Sequence, residues 1–289
     1  MATTSPLVAV AADSAYAIPL HACVSSIVEH CRGVDLYVLD CGLSAEDRRT
    51  LRETVGAAGT VSFVGVPIRE LADLPEATCG SVATYARLFI DATECSGRIL
   101  YLDADTIVLS SVLPLYQVEL SGAVSGAVRE MYTPVVSADN GVAAWRDLSF
   151  NADDPYFNAG VMLVDLDEWR RRSVRARCLD YLRTTGPLVR LFDQEALNVV
   201  LHGAWIELPQ IWNVTRYWYR NSRRVGDHAN ILEEARIIHF ISEEKPWLGS
   251  DVVPGVLSNK FFAALDRSSL AGWRPGSDWL KSHDVYSHD

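Results

Sequence analysis

Residues 7–103 alternate short apolar runs with amphipathic segments, and that alternation restricts the fold more than any other feature of the chain. The runs "LVAVAA" (7–12), "VDLYVLD" (34–40), "TVSFVGV" (60–66) and "RILYLD" (98–103) are strand-length and apolar. Between them, "IPLHACVSSIVEHC" (18–31) places apolar groups at helical spacing. "SAEDRRTLRETVG" (44–56) reads as a helix with Ser44 as N-cap, Asp47 three residues on and Gly56 as its stop. "GSVATYARLFI" (80–90) suits another helix, with Val82, Tyr85 and Phe89 near one face. Strands alternating with helices predict an α/β fold whose sheet is largely parallel in this half. Ligands of such sheets bind beyond the carboxyl ends of the strands. "AAD" (11–13) and "LDAD" (102–105) both sit at such ends, so they are expected to converge on one crevice.

The second half is more mixed. "GAVSGAV" (122–128), "YFNAGVMLVDL" (156–166) and "ARIIHF" (235–240) are strand candidates. "DEWRRRSVRARCLDYLRTT" (167–185) and "DQEALNVVLHG" (193–203) read as helices, each opening on an Asp suited to a helix N-terminus. No Pro/Gly/Ser linker divides the chain and no internal repeat occurs. The expected organisation is one domain over residues 1–265 followed by a C-terminal tail over 266–289.

With 289 residues the chain can bury a substantial core, and its net charge of −11 leaves no extended basic surface. The one arginine cluster, "WRRRSVRAR" (169–177), reads as the solvated face of a helix. Nucleic acid and anionic lipid are therefore not expected partners, because both need clustered cations. The six cysteines form no C-x-x-C pair, which disfavours a zinc or redox motif and suits reduced core residues. The N-terminal run "PLVAVAA" has no basic segment before it, and no apolar stretch reaches bilayer-spanning length. The expectation is a soluble, cytoplasmic protein; oligomeric state is not legible.

The chemistry gathers at three places. Asp103 and Asp105 flank a small Ala104 at the end of a strand, and side chains two apart in an extended segment project to one side. They could hold one hard cation, Mn²⁺ or Mg²⁺, with a diphosphate completing its sphere, although D-x-D also arises in turns and caps. In "IIHFISEEKPW" (237–247), His239 could add an imidazole ligand and Lys245 could neutralise a phosphate. The plainer alternatives there are a core histidine and a surface lysine. In "YFNAGVMLVDLDEW" (156–169), Asn158 and Ala159 precede Gly160, where a backbone can approach a ligand closely. An amide there can both donate to and accept from sugar hydroxyls.

In this order the elements resemble the family 8 retaining glycosyltransferases, which include glycogenin and bacterial lipopolysaccharide galactosyl- and glucosyltransferases. The resemblance runs from "VAVAADSAYA" through "TYARLFI", "RILYLDADTIVL", "YFNAGVMLVDLDEWRR" and "DQEALNVVL" to "IIHFISEEKPW". It implies a GT-A fold, with a mixed central sheet flanked by helices, a nucleotide-diphospho-sugar donor (UDP favoured), and Mn²⁺, with Mg²⁺ as an alternative. It further implies transfer of a hexosyl group to a hydroxyl acceptor with retention, by front-face attack. On that resemblance Asp103, Asp105 and His239 are the metal ligands, and Lys245 contacts the diphosphate. Asp13 would hydrogen-bond the uracil edge and Tyr16 would stack on it. Ala11, Arg87, Ala104, Glu130, Asn158 and Ala159 fall at donor-binding positions. Asp193 and Gln194 are the catalytic positions, Gln194 on the sugar face opposite the leaving group.

Some positions depart from the family pattern. Ser242 stands where the family usually has Gly, followed by Glu243 and Glu244; Ala15 replaces a polar residue, and Glu130 an Asp. A nucleotide-sugar hydrolase or mutase could use the same donor site, and a non-enzymatic sugar-nucleotide sensor could keep the fold. Residues 131–155, long, polar and Trp-bearing, are the expected lid or acceptor loop. Trp273 and Trp279 in a tail without basic character favour a small-molecule or glycan acceptor over a membrane-bound one, or simply pack the chain end.

Overall fold

A computed structural model of the protein describes residues 5–75, 82–217, 231–242, 245–249 and 253–282. The four N-terminal runs form β1 (Leu7–Ala12), β2 (Val34–Asp40), β3 (Gly59–Gly65) and β4 (Arg98–Asp103), all parallel, in the order β3-β2-β1-β4. β5 (Thr106–Val108) leaves this sheet. Beyond β4 the direction reverses, because β7 (Phe157–Asp165) and then β6 (Ser125–Arg129) join antiparallel, and β8 (Trp205–Glu207) closes the edge parallel to β6. The central sheet is therefore seven-stranded and mixed. β9 (Ile237–His239) pairs with β5 as a separate antiparallel ribbon.

Helices cover both faces. α1 (Ala17–His30) and α2 (Ala45–Val55) bury Leu20, Val24, Ile27 and Leu51 against Val8, Val10, Leu36 and Val38 of the sheet. Ser44 caps α2 as its sequence requires: its Oγ accepts from the Asp47 N–H at 3.0 Å, while the Ser44 N–H donates to Asp47 Oδ2 at 2.9 Å. Such a capping box contributes about 1 kcal/mol. A single turn, α3 (Leu113–Tyr116), follows β5. On the opposite face lie a 3₁₀ helix (Val82–Ala92), α4 (Leu166–Arg171), α5 (Val174–Thr185) and α6 (Phe192–Val200), packed through Tyr85, Trp169, Cys178 and Leu197. A third cluster joins Phe240 and Trp247 to Phe261 of the helix Gly255–Leu265.

Two expectations need correction. The single helix over 167–185 breaks in two, because Ser173 takes a left-handed conformation (φ 50°) between α4 and α5. The arginine cluster is not uniformly solvated: Arg170 donates to the carbonyls of Asp91, Thr93 and Cys95 and thereby closes the end of the 3₁₀ helix. The 131–155 segment, expected as a lid or acceptor loop, carries a small core of its own. Val136, Val142 and Tyr156 bury against Trp145, Phe150 and Leu191, and Phe150 stacks on His202 with centroids 3.8 Å apart. Cys23, Cys31, Cys41, Cys95 and Cys178 are free thiols; Cys79, and with it the start of the expected 80–90 helix, lies outside the described residues. Among the described residues no helix is long and apolar enough to cross a membrane.

His21 ties α1, α2 and the C-terminal tail together. Its Nε2 lies 3.1 Å from Thr50 Oγ1 and its Nδ1 3.0 Å from Thr54 Oγ1, and Ser269 bonds both threonines from the other side. Burial lowers the His21 pKa from 6.5 to about 4, with Asp47 opposing in part. Because the unfolded chain binds the proton first, this site's full stability is present above pH 6.5 and is lost as pH falls toward 4. The loss amounts to about 3 kcal/mol at most. Urea midpoints at pH 7 and pH 4.5 should therefore diverge more in the wild type than in His21→Gln. An equal divergence would assign the acid sensitivity elsewhere.

Candidate active site

The switch in strand direction fixes where the site lies. β1 and β4 are adjacent, and their register sets Ala11 opposite Asp103, so the carboxyl ends of both strands open on one crevice as expected. β4 stops at Asp103 and β5 starts at Thr106; the turn between them carries Ala104 and Asp105. Thr106 Oγ1 donates to the Asp103 carbonyl at 2.8 Å and holds that turn. The β5–β9 ribbon then sets Thr106 opposite His239, which delivers an imidazole from a segment remote in sequence.

Asp103, Asp105 and His239 each present one ligand atom, all within 4.8 Å of one another. His239 Nε2 lies 3.1 Å from Asp105 Oδ1 and 3.6 Å from Asp103 Oδ2. Asp105 Oδ1 is buried, and the His239 imidazole lies against it. Two carboxylates and an imidazole converging on one buried point suit a divalent cation. Lys245 Nζ sits 2.5 Å from the other Asp105 oxygen and also donates to the Phe240 carbonyl. Burial alone would raise the Asp105 carboxyl, but Lys245 and His239 override it and hold the group well below the ordinary carboxylate range.

The opposite wall is an Arg87 bridge. Its Nη2 is 2.9 Å from Asp103 Oδ1 and its Nε 2.7 Å from Asp193 Oδ2. Burial disfavours the guanidinium charge, yet Asp103 and Asp193 more than compensate and keep it protonated. Burial also raises the Asp193 carboxyl, against the Arg87 guanidinium and a 2.7 Å hydrogen bond from Thr84 Oγ1. Asp193 is the second residue of α6, and the residue before it, Phe192, is in a strained left-handed conformation (φ 47°). That turn also aims Gln194, whose Oε1 accepts from the Ala159 N–H at 3.0 Å.

The floor belongs to β7. Asn158 Nδ2 donates to Glu130 Oε2 at 2.6 Å, and Asn158 Oδ1 accepts from the Gly160 N–H at 2.9 Å. A Cβ on Gly160 would lie 2.1 Å from His239 Cε1 and 2.7 Å from Asp103 Oδ2. The glycine is thus demanded by close approach, and what it approaches is the carboxylate–imidazole cluster itself. At the mouth, Asp13 Oδ1 accepts from the Tyr16 N–H at 3.2 Å, and Tyr16 meets Trp247 edge-on at 6.1 Å. Trp279 Nε1 in turn donates to the Trp247 carbonyl at 3.0 Å, so the tail braces this wall.

Every residue expected at a catalytic, donor-binding or metal position is described, and Asp103, Asp105, His239, Lys245, Arg87 and Asp193 form one contiguous network. Ser242 is left-handed (φ 60°), which accounts for the glycine usual at that position; Glu243 and Glu244 lie outside the described residues. Sequence reasoning missed Thr84, Tyr101 and Asn213. Tyr101, whose hydroxyl donates to Asp103 Oδ1 at 2.8 Å, was accessible from strand alternation, being two residues before Asp103 on the same side. Asn213, 3.0 Å from His239 Nδ1, had no such signal.

A mixed sheet with a DxD turn at the carboxyl edge of its parallel half is the architecture of a GT-A glycosyltransferase. The chain belongs to glycosyl transferase family 8, whose family model it matches over residues 7–251. It is 26% identical over 246 residues to Glycosyltransferase GlyF of Streptococcus pneumoniae, covering 83% of this chain and 56% of that protein. It is 30% identical over 191 residues to the lipopolysaccharide 1,2-glucosyltransferase of Escherichia coli, covering 63% of this chain and 54% of that one. The chain thus spans little more than half the length of these two relatives. General stress protein A of Bacillus subtilis is 27% identical over 229 residues, 75% of this chain and 77% of that protein. Among solved structures, the galactosyltransferase LgtC in complex with donor and acceptor sugar analogs superposes with a TM-score of 0.77 at 24% identity, covering 96% of this chain and 99% of that one.

Proposed function

We propose that the protein is a Mn²⁺-dependent retaining hexosyltransferase of the cytoplasm that moves a hexosyl group from a UDP-sugar to a hydroxyl of a small-molecule or glycan acceptor. The observation that carries this reading is the convergence of Asp103, Asp105 and His239 on one buried point beside Lys245. LgtC, which shares the fold, was solved in complex with donor and acceptor sugar analogs, and that supports a reading with a sugar donor and a sugar acceptor. Asp103, Asp105 and His239 would hold the cation; when bound, Mn²⁺ supplies Lewis-acid stabilisation of the charge that develops on the departing diphosphate.

The chain's own groups do the rest. Lys245 would turn its ammonium from Asp105 to a phosphate oxygen of the donor. Arg87 holds Asp103 and Asp193 at fixed separation, so both carboxylates keep their orientation while donor enters. Asp13 and Tyr16 receive the base, and Ala11 and Ala104 offer small surfaces beside it. Asn158, Glu130 and the Ala159 backbone face the sugar. Gln194 presents an amide opposite the leaving group, and an amide is a poor nucleophile. Retention then follows from front-face attack, in which the acceptor oxygen bonds the anomeric carbon from the leaving-group side. The C1–O bond to the diphosphate breaks, and the departing phosphate oxygen takes the hydroxyl proton.

Thermal unfolding with UDP, GDP, ADP and CMP, each with Mn²⁺ and again with EDTA, tests the donor and the cation. UDP with Mn²⁺ should raise the midpoint by about 5 °C at a hundredfold excess over Kd, and EDTA should remove the shift. A Mn²⁺-dependent shift with another nucleotide would replace uracil as the base. No shift with any would overturn the proposal.

A further inference from the structure

A polar relay runs from the sugar-facing floor to the metal face of His239, and its direction is fixed by donors that cannot reverse. The Gly160 backbone N–H donates to one side-chain atom of Asn158, which must therefore be the oxygen, at 2.9 Å. The Asn158 amide nitrogen is then left to face Glu130, an acceptor, at 2.6 Å. Asn213 also contacts the Asn158 oxygen, at 2.8 Å, and can do so only with its own nitrogen. That turns the Asn213 oxygen toward His239, 3.0 Å from Nδ1. An acceptor at Nδ1 requires a ring proton there, which leaves Nε2 as the nitrogen that faces Asp103 and Asp105 and is available to a cation. All four side chains are buried: Glu130 at 6% exposure, Asn158 at 6%, Asn213 at 2% and His239 at 3%.

We infer that Asn213 is the positioning residue of the metal centre: it fixes His239 as the Nδ1–H tautomer, and the same amide links that ligand to the Asn158–Glu130 pair on the sugar side. The inference builds on the metal-dependent reading above and adds a residue outside the cluster itself. A buried group that orients a metal-bound imidazole through its second nitrogen is worth about 10–100-fold in metal affinity. The relay also couples the two halves of the site, because any sugar hydroxyl that competes for Asn158 loads the bond to Asn213.

Titration of Mn²⁺ followed by electron paramagnetic resonance, with nitrogen-detected NMR of the His239 ring in the metal-free protein, tests the assignment in wild type, Asn213→Ala and Asn213→Asp. Wild type should show a protonated Nδ1 and bind Mn²⁺. Asn213→Ala should show mixed tautomers and bind about 10–100-fold more weakly. Asn213→Asp keeps the acceptor for Nδ1–H and should retain Mn²⁺ affinity within about threefold. It presents an oxygen to the Asn158 oxygen, however, and should lose UDP-sugar affinity relative to UDP. Rescue of the metal by aspartate separates orientation from a general loss of packing. Unchanged Mn²⁺ affinity in Asn213→Ala, or a wild-type ring with no proton on Nδ1, would overturn the role of Asn213 while leaving the metal centre standing. Failure of the wild type to bind Mn²⁺ would overturn the metal reading, and the positioning role with it.

Discussion

Asp105→Asn is expected to abolish Mn²⁺-dependent UDP binding and to lower turnover by about a thousandfold, and it should also destabilise the fold. The first two effects follow from removing one of the three proposed ligands and the charge that would balance the cation, a loss of several kcal/mol at the transition state. The third follows from Lys245. That ammonium is only 3% exposed and has two acceptors, Asp105 Oδ2 and the Phe240 carbonyl. Neutralising the carboxylate strands a buried cation, which costs about 3 kcal/mol, tempered by the amide oxygen that remains. The double variant Asp105→Asn/Lys245→Met should recover most of that stability, because the uncompensated charge is gone, yet it should still fail to bind UDP with Mn²⁺. Chemical denaturation reads the first quantity and nucleotide-induced thermal shift the second. A double variant as unstable as the single would show that Lys245 does not depend on Asp105. Retained Mn²⁺-dependent binding in Asp105→Asn would remove that carboxylate from the metal site.

How much of this was legible beforehand depends on whether a residue's neighbours are local. Asp103 and Asp105 stood out because charge at the end of an apolar strand has no packing purpose, and the parallel run of β1, β2, β3 and β4 placed them at a ligand-binding edge before any contact was known. Ser44 and Asp47 announced their helix for the same reason: the capping partners are three residues apart. His239 is different. Nothing in its own segment distinguishes a ligand from a core histidine, and only the β5–β9 pairing brings it to the carboxylates. β5 and β8 are three residues each, too short to show a period. Asn213 bonds partners 26 and 55 positions away, and its local sequence carries no trace of that. The arginine run misled because Arg170 reaches backbone carbonyls rather than water, a use of guanidinium donors that charge patterning does not register.

Gly160→Ala adds a single methyl group, and its effect should exceed that of most larger substitutions. Gly160 needs no unusual backbone conformation, so the cost is steric alone. Its strand, β7, is the inner strand between β4 and β6, and Gly160 falls where the β6 register shifts, next to the last β4 pair at Val161. The new Cβ would meet His239 Cε1 at 2.1 Å and Asp103 Oδ2 at 2.7 Å, far inside van der Waals contact. The imidazole would have to move by about 1 Å or more, breaking the bond to Asn213 and leaving the metal position, since tightly packed interiors transmit strain rather than absorb it. Overpacking of this kind costs about 1–3 kcal/mol in stability. Mn²⁺ affinity should fall by at least about a hundredfold, beyond the range typical of supporting residues. Gly160→Ala/His239→Ala is the informative companion: with the ring gone the methyl group has room, so the stability should return and the metal affinity should not. Wild-type Mn²⁺ affinity in Gly160→Ala would mean that His239 is not a ligand, and that the glycine keeps clear of the imidazole for packing alone.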